Sequence, residues 1–158
     1  MMRKRIINQS SKVPSSTDQD WLDLRRLALV EITSEDAGHP VESALTDGKG
    51  PGWLAGETGE QTIRLLFDEP RALRQIQLVF EEESRERTHE FVLRWSGDGG
   101  LSYREILRQQ YTFSPPGTTR EVEDYVVNLQ GVTVLELRIV PDISRGDARA
   151  SLNLLRLA

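Results

Sequence analysis

The sequence predicts an all-β fold, a sandwich or barrel of antiparallel strands, and three observations carry that prediction. Apolar residues recur at every second position in short runs. The runs are separated by clusters of Gly, Pro, Asp and Ser, the residues that make turns. No helical periods alternate regularly with the runs, as a parallel sheet with crossover helices would require.

Taken in order, residues 1–19 read as a flexible tail, because Ser, Lys, Pro, Thr, Asp and Gln dominate from Asn8 onward without an apolar period. The folded domain is expected over 20–158, anchored first at Trp21-Leu22-Asp23-Leu24. Trp21 to Leu29 carries Leu22, Leu29 and Leu24 or Leu27 at helix-like spacing and reads as a short helix or a turn. Ala28, Val30 and Ile32 share one strand face, as do Ile63, Leu65 and Phe67, then Ile76, Leu78 and Phe80, then Phe91, Leu93 and Trp95. Tyr125, Val127 and Leu129 form a further face, Leu135, Leu137 and Ile139 another, and Leu155 and Leu157 close the set, with Leu152 and Leu154 in the opposite phase. Such alternation lets each segment bury one side and solvate the other. Between the runs, Asp47-Gly48-Lys49-Gly50-Pro51-Gly52 is a loop, Asp68-Glu69-Pro70 ends a strand, and Gly97-Asp98-Gly99-Gly100 suits a hairpin. Ser114-Pro115-Pro116-Gly117 signals a long loop, and Pro141 stops a strand because it has no N–H for the ladder.

Bulk composition narrows the function. The 158 residues suggest one domain, long enough to bury roughly 70% of its unfolded surface. The net charge of −5 disfavours nucleic acid and anionic membranes as partners. The absence of cysteine excludes disulfides, thiolate catalysis and Cys-based zinc sites, and fits a reducing compartment. Arg3, Lys4 and Arg5 look like the start of a signal peptide, but Ile6-Ile7-Asn8-Gln9-Ser10-Ser11 lacks the apolar segment that should follow, and no run of about 20 apolar residues spans a membrane. The expected location is therefore cytoplasmic.

The order of motifs resembles the discoidin, or galactose-binding-like, superfamily over residues 27 to 157. Ile32-Thr33-Ser34-Glu35, then Ala44-Leu45-Thr46-Asp47-Gly48 and Trp53, are similar to the family's first strand, Asp-Gly turn and tryptophan. Gln61 to Pro70, Leu73 to Phe80, Phe91 to Gly99, Leu135 to Pro141 and Ala150 to Leu157 are similar to its later strands, in order. The resemblance implies a jelly-roll sandwich of about eight strands with adjacent termini, and a binding role directed most often at sugars and sometimes at lipids, proteins or broken DNA. Many sugar-binding relatives hold a structural calcium between the Asp-Gly turn and a glutamate of the last strand. Here Asp47 matches the turn while Leu154 takes the glutamate's place, so no metal and no cofactor are expected.

Candidate ligand-binding residues lie in the predicted loops. Trp53 offers an aromatic face for a sugar ring, or plugs the end of the sandwich. Glu35 and His39 stand in the first inter-strand loop, and His89 just before the strand at Phe91. Arg85 and Arg87 sit in the charge run Glu81 to Thr88, which is either a solvated loop or a clamp for hydroxyls or an anion. The loops at 34–43, 47–60 and 81–88 are expected to converge at one end. Tyr111 and Arg120 belong to the segment Arg108 to Glu121, whose aromatics and amides suit recognition, and whose Ser-Pro element is similar to a loop in the repair-scaffold branch of the superfamily. Arg145-Gly146-Asp147 spells an adhesion tripeptide by chance. No Ser/His/acid spacing, nucleophile elbow or phosphate loop appears, so no enzyme activity is expected. The leading expectation is a non-catalytic module binding a saccharide, and the alternative is a protein-interaction or DNA-repair scaffold module. Sequence leaves the oligomeric state open.

Overall fold

The computed structural model describes residues 20–158, and the tail expected over 1–19 lies outside them. A single helical turn, α1 (Leu24–Leu27), leads into β1 (Ala28–Ile32). There follow a 3-10 turn (Val41–Ala44), β2 (Trp53–Thr58), β3 (Gln61–Glu81), β4 (Arg87–Ser96), β5 (Arg104–Phe113), β6 (Arg120–Val140), β7 (Arg149–Leu152) and β8 (Leu154–Leu157).

Two strands of 21 residues each build both layers of the sandwich. The first half of β3 pairs with β1 and with the second half of β6, which continues through β4 to β5. The second half of β3 pairs with the first half of β6 on one side and with β8 on the other. β2 and β7 form a separate antiparallel ribbon. The layers meet along the alternating faces: Ile63, Leu65, Leu135, Leu137, Ile139, Phe91 and Leu93 from one, Ile76, Leu78, Phe80, Leu155 and Leu157 from the other. Leu22 N donates to Leu157 O at 2.8 Å, so the two ends of the described chain lie side by side.

Four sequence expectations change. Asp68-Glu69-Pro70 bends β3 instead of ending it: the register slips between Leu66, Arg71, Leu73 and Gln75, and Pro70 sits where no ladder bond is required. Trp53 to Thr58 and Arg104 to Phe113 are strands; the first was expected as loop, and the second takes in the start of the Arg108 to Glu121 segment expected for recognition. β5 was hidden by its exposure: it is an edge strand in which only Phe113 is fully buried, so the apolar alternation is weak. The long loop expected at Ser114 is a tight connection of six residues, closed by Ser114 N donating to Thr118 O at 2.8 Å.

The hairpin at Gly97 forms as expected. Gly99 and Gly100 take positive φ of 77° and 95°, conformations open to glycine at little cost. The Asp98 carboxylate accepts from Ser96 Oγ, Ser102 N and Ser102 Oγ, which holds its pKa far below the ordinary range.

Candidate functional site

One end of the sandwich carries a polar concavity of about 340 Å³, lined by His39, Pro51, Trp53, Leu54, Glu81, Glu82, Glu83, Ser84, Arg87, Arg149, Ser151 and Asn153. The loops at 34–43, 47–60 and 81–88 meet there against the polar face of β7. That face is a period-two series: Arg149, Ser151 and Asn153 turn outward while Ala150, Leu152 and Leu154 are buried.

The walls are held by local hydrogen bonds. His39 Nδ1 lies 2.9 Å from Asp36 Oδ2, while Asp36 N bonds Leu54 O at 2.8 Å and Asp36 Oδ1 faces Arg149 Nη1 at 3.7 Å. The contact with His39 holds the Asp36 carboxyl below its ordinary pKa. With Nδ1 engaged, Nε2 is the ring nitrogen that His39 offers to a ligand. Arg87 is buried: Nε donates to Glu82 Oε1 at 2.6 Å and Nη1 to Pro141 O at 2.7 Å. Burial opposes ionisation of Glu82, yet the bonds from Arg87 and Ser84 keep its carboxyl below the ordinary range. Asn153 Nδ2 donates to Glu81 Oε1 at 3.2 Å, and Ser151 is half-buried beside it.

Of the residues named from sequence, His39, Trp53 and Arg87 come together at this concavity. The others do not. Trp53 is 1% exposed and its Nε1 donates to Ser34 O at 3.1 Å, so it floors the site as a plug and presents no open face for stacking. Glu35 braces the loop, with Oε1 accepting from Val41 N at 2.9 Å. Arg85 pairs outside with Asp147 at 3.0 Å, which also engages the acid of the adhesion-like tripeptide. His89 is fully buried against Glu121. Tyr111 OH donates to Arg120 O at 3.0 Å and ties β5 to β6, while the Arg120 side chain faces Glu81 at 3.6 Å. Sequence reading missed Arg149, Ser151 and Asn153. The signal was present in the polar phase of the Leu152 and Leu154 alternation, but polar residues on a strand face ordinarily mean only solvent.

No protein-family model and no curated protein matches the chain. Solved structures do. A pectin-binding carbohydrate-binding module superposes with a TM-score of 0.58, at 17% identity, over 84% of this chain and 90% of that one. The family 32 carbohydrate-binding module of NanJ from Clostridium perfringens, in complex with galactose, gives 0.58 at 12% identity over 87% and 96%. The module CBM32-3 of a family 31 glycoside hydrolase, also from Clostridium perfringens, gives 0.61 at 15% identity over 92% and 98%. This is the discoidin, or galactose-binding-like, fold. At these identities the fold is what the discoidin-like domain shares with the modules.

The calcium site that this fold often carries does not fit the residues present. A Cβ added to Gly48 of the Asp47-Gly48 turn would meet the Leu154 methyl carbons at 3.3 and 3.4 Å, so Leu154, which the resemblance sets in the place of the ligating glutamate, puts hydrocarbon against this turn. Asp47 Oδ1 already accepts from Lys49 N at 3.0 Å.

Proposed function

We propose that this discoidin-like domain is a non-catalytic module that binds a saccharide in the concavity lined by His39, Arg87, Arg149, Ser151 and Asn153. The carrying observation is the convergence of three loops on β7, which sets a ring nitrogen, a guanidinium, a hydroxyl and an amide around one polar hollow. Sugars present many hydroxyls that both donate and accept, and such a mixed set of fixed partners answers them. The similarity to modules described as carbohydrate-binding supports the reading. Trp53 contributes by shaping the floor, so affinity rests on hydrogen bonds more than on stacking.

On this reading the module makes no covalent step. The ring nitrogen of His39 that is engaged meets a carboxylate, and no described serine or threonine hydroxyl is hydrogen-bonded to either histidine. The test is an amide NMR titration of the protein with neutral hexoses and N-acetylhexosamines up to tens of millimolar. Shifts confined to the amides of His39, Ser84, Ser151 and Asn153 and their neighbours are expected. A flat titration across the panel would overturn the proposal.

A further inference from the structure

Resting on that reading, we infer that the concavity is charge-selective: it admits neutral saccharides and rejects anionic ones such as uronates, because Glu83 leaves an uncompensated carboxylate on its rim. Three consecutive glutamates, Glu81, Glu82 and Glu83, line one wall. Two of them have cationic partners. Glu82 is paired with Arg87 at 2.6 Å, and Glu81 faces Arg120 at 3.6 Å. Glu83 is exposed and forms no ion pair with any described residue.

The cations of the hollow are already spoken for. Arg87 has only 3% of its side chain exposed, and its Nε and Nη1 are committed to Glu82 and Pro141. Arg149 is 44% exposed and stands 3.7 Å from Asp36. His39 also faces Asp36. Matching each guanidinium with its carboxylate leaves one negative charge over, and the whole chain adds to it with a net charge of −5. An anionic sugar entering the hollow therefore meets a like charge, and among the described residues lining the hollow both guanidinium groups already face a carboxylate. A like charge held within about 6 Å at a protein surface changes affinity about 3- to 10-fold at low ionic strength, and the effect is screened by salt. The polar set on β7 answers hydroxyls of either sugar class, so the carboxylate wall, not the hydrogen bonds, separates them.

The experiment uses matched pairs that differ only at C6: galactose with galacturonate, glucose with glucuronate, mannose with mannuronate. Affinities are measured by NMR titration of the full chain at about 20 mM and about 0.5 M NaCl, for the wild type and for Glu83→Gln and Glu83→Lys. In each pair that binds, the neutral member is expected to bind about 3- to 10-fold more tightly at low salt. The gap should close at high salt and in Glu83→Gln, and reverse in Glu83→Lys. Equal or tighter binding of the uronate overturns the inference while leaving the saccharide reading in place. A gap that survives both high salt and Glu83→Gln also overturns it, since the cause would then be shape. If no member of any pair binds, the saccharide reading itself fails and this inference with it.

Discussion

His89 Nε2 lies 2.6 Å from Glu121 Oε1 in the interior, with both side chains 1% exposed. The pair closes an aromatic cluster: the His89 ring stands edge-on to Phe80 at 4.6 Å and to Phe113 at 5.1 Å. Burial and the nearby Arg87 charge push the His89 pKa down to about 3, and burial raises that of Glu121. The imidazole is therefore neutral, and the 2.6 Å contact between Nε2 and the Glu121 carboxyl is a buried hydrogen bond. We expect His89→Ala to cost about 3 kcal/mol in chemical denaturation, because it opens a cavity and strips a buried carboxyl of its partner. Glu121→Gln keeps an acceptor for the imidazole and should cost less than half of that. Equal costs for the two variants would overturn this account, since Glu121→Gln leaves the packing intact.

Glu123 sits two residues along the same strand face. Burial, then its hydrogen bond with Glu121, raises its pKa to about 7. Its folded state thus holds a proton that the unfolded chain has released above about pH 4.5, so the carboxyl costs stability as pH rises from 4.5 through 7. His89 has the opposite sign, because its folded pKa lies below the unfolded one, and stability rises as pH climbs from about 3 to 6.5. The two slopes oppose each other between pH 4.5 and 6.5. Glu123→Gln should raise the thermal midpoint at pH 8 and leave it unchanged at pH 4. A midpoint that moves equally at both values would refute the proton linkage.

On the outer face of the larger sheet, Glu31, Arg64, Glu136, Arg94 and Glu105 stand side by side on β1, β3, β6, β4 and β5. Glu136, at the centre, is fully buried beneath Arg64 at 2.9 Å and Arg94 at 2.7 Å. Burial opposes its ionisation, but the bonds from Arg94 and Arg64 win and hold its pKa down. Its stabilisation is therefore present above about pH 4.5 and lost as pH falls below that. Glu136→Ala should cost about 3 kcal/mol at pH 7. Either Arg→Ala single variant should cost less, since the other guanidinium remains. Urea melts at pH 7 and pH 3 test these statements, and a Glu136→Ala penalty as large at pH 3 as at pH 7 would contradict the pH dependence.

At the candidate site, His39→Ala and Arg149→Ala each remove one hydrogen-bonding partner from a ligand while both residues stay about 40% exposed in the free protein. Saccharide affinity should fall about 10-fold or more for each variant. The thermal midpoint should move little. Retained affinity in both variants would place the sugar elsewhere.

The Leu154 methyl groups against Gly48 lead to a prediction for metal removal. Millimolar calcium and millimolar chelator should give the same thermal midpoint. A stabilisation by calcium that is absent with magnesium would show an oxygen site that these side chains do not form.

Much of the sandwich was legible along the chain. The buried faces at Ile63, Leu65 and Phe67, at Phe91 and Leu93, and at Leu135, Leu137 and Ile139 follow from period two alone, because a strand has only two sides. The Gly99-Gly100 turn was legible for an equally local reason. Arg104 to Phe113 was not: an edge strand with mostly exposed side chains buries little, and its pattern does not differ from that of a loop. Nor was the bend at Pro70, since a proline that ends a strand and one that bends it read alike. The site was half legible. The three converging loops could be named from their composition, yet nothing local distinguishes a histidine that lines a hollow, His39, from one that is buried in the core, His89.

By itself, then, the sequence determined which residues are buried and where the chain turns, through interactions that reach only a few positions along the backbone. Tertiary structure alone decided which partners the polar groups take. Pairing Arg87 with Pro141, His89 with Glu121, and Asp36 with Arg149 depends on strand register and on contacts spanning up to 113 positions (Asp36 to Arg149). Charges and hydrogen bonds act through space at a few ångströms, so their outcome is set only when the two layers close.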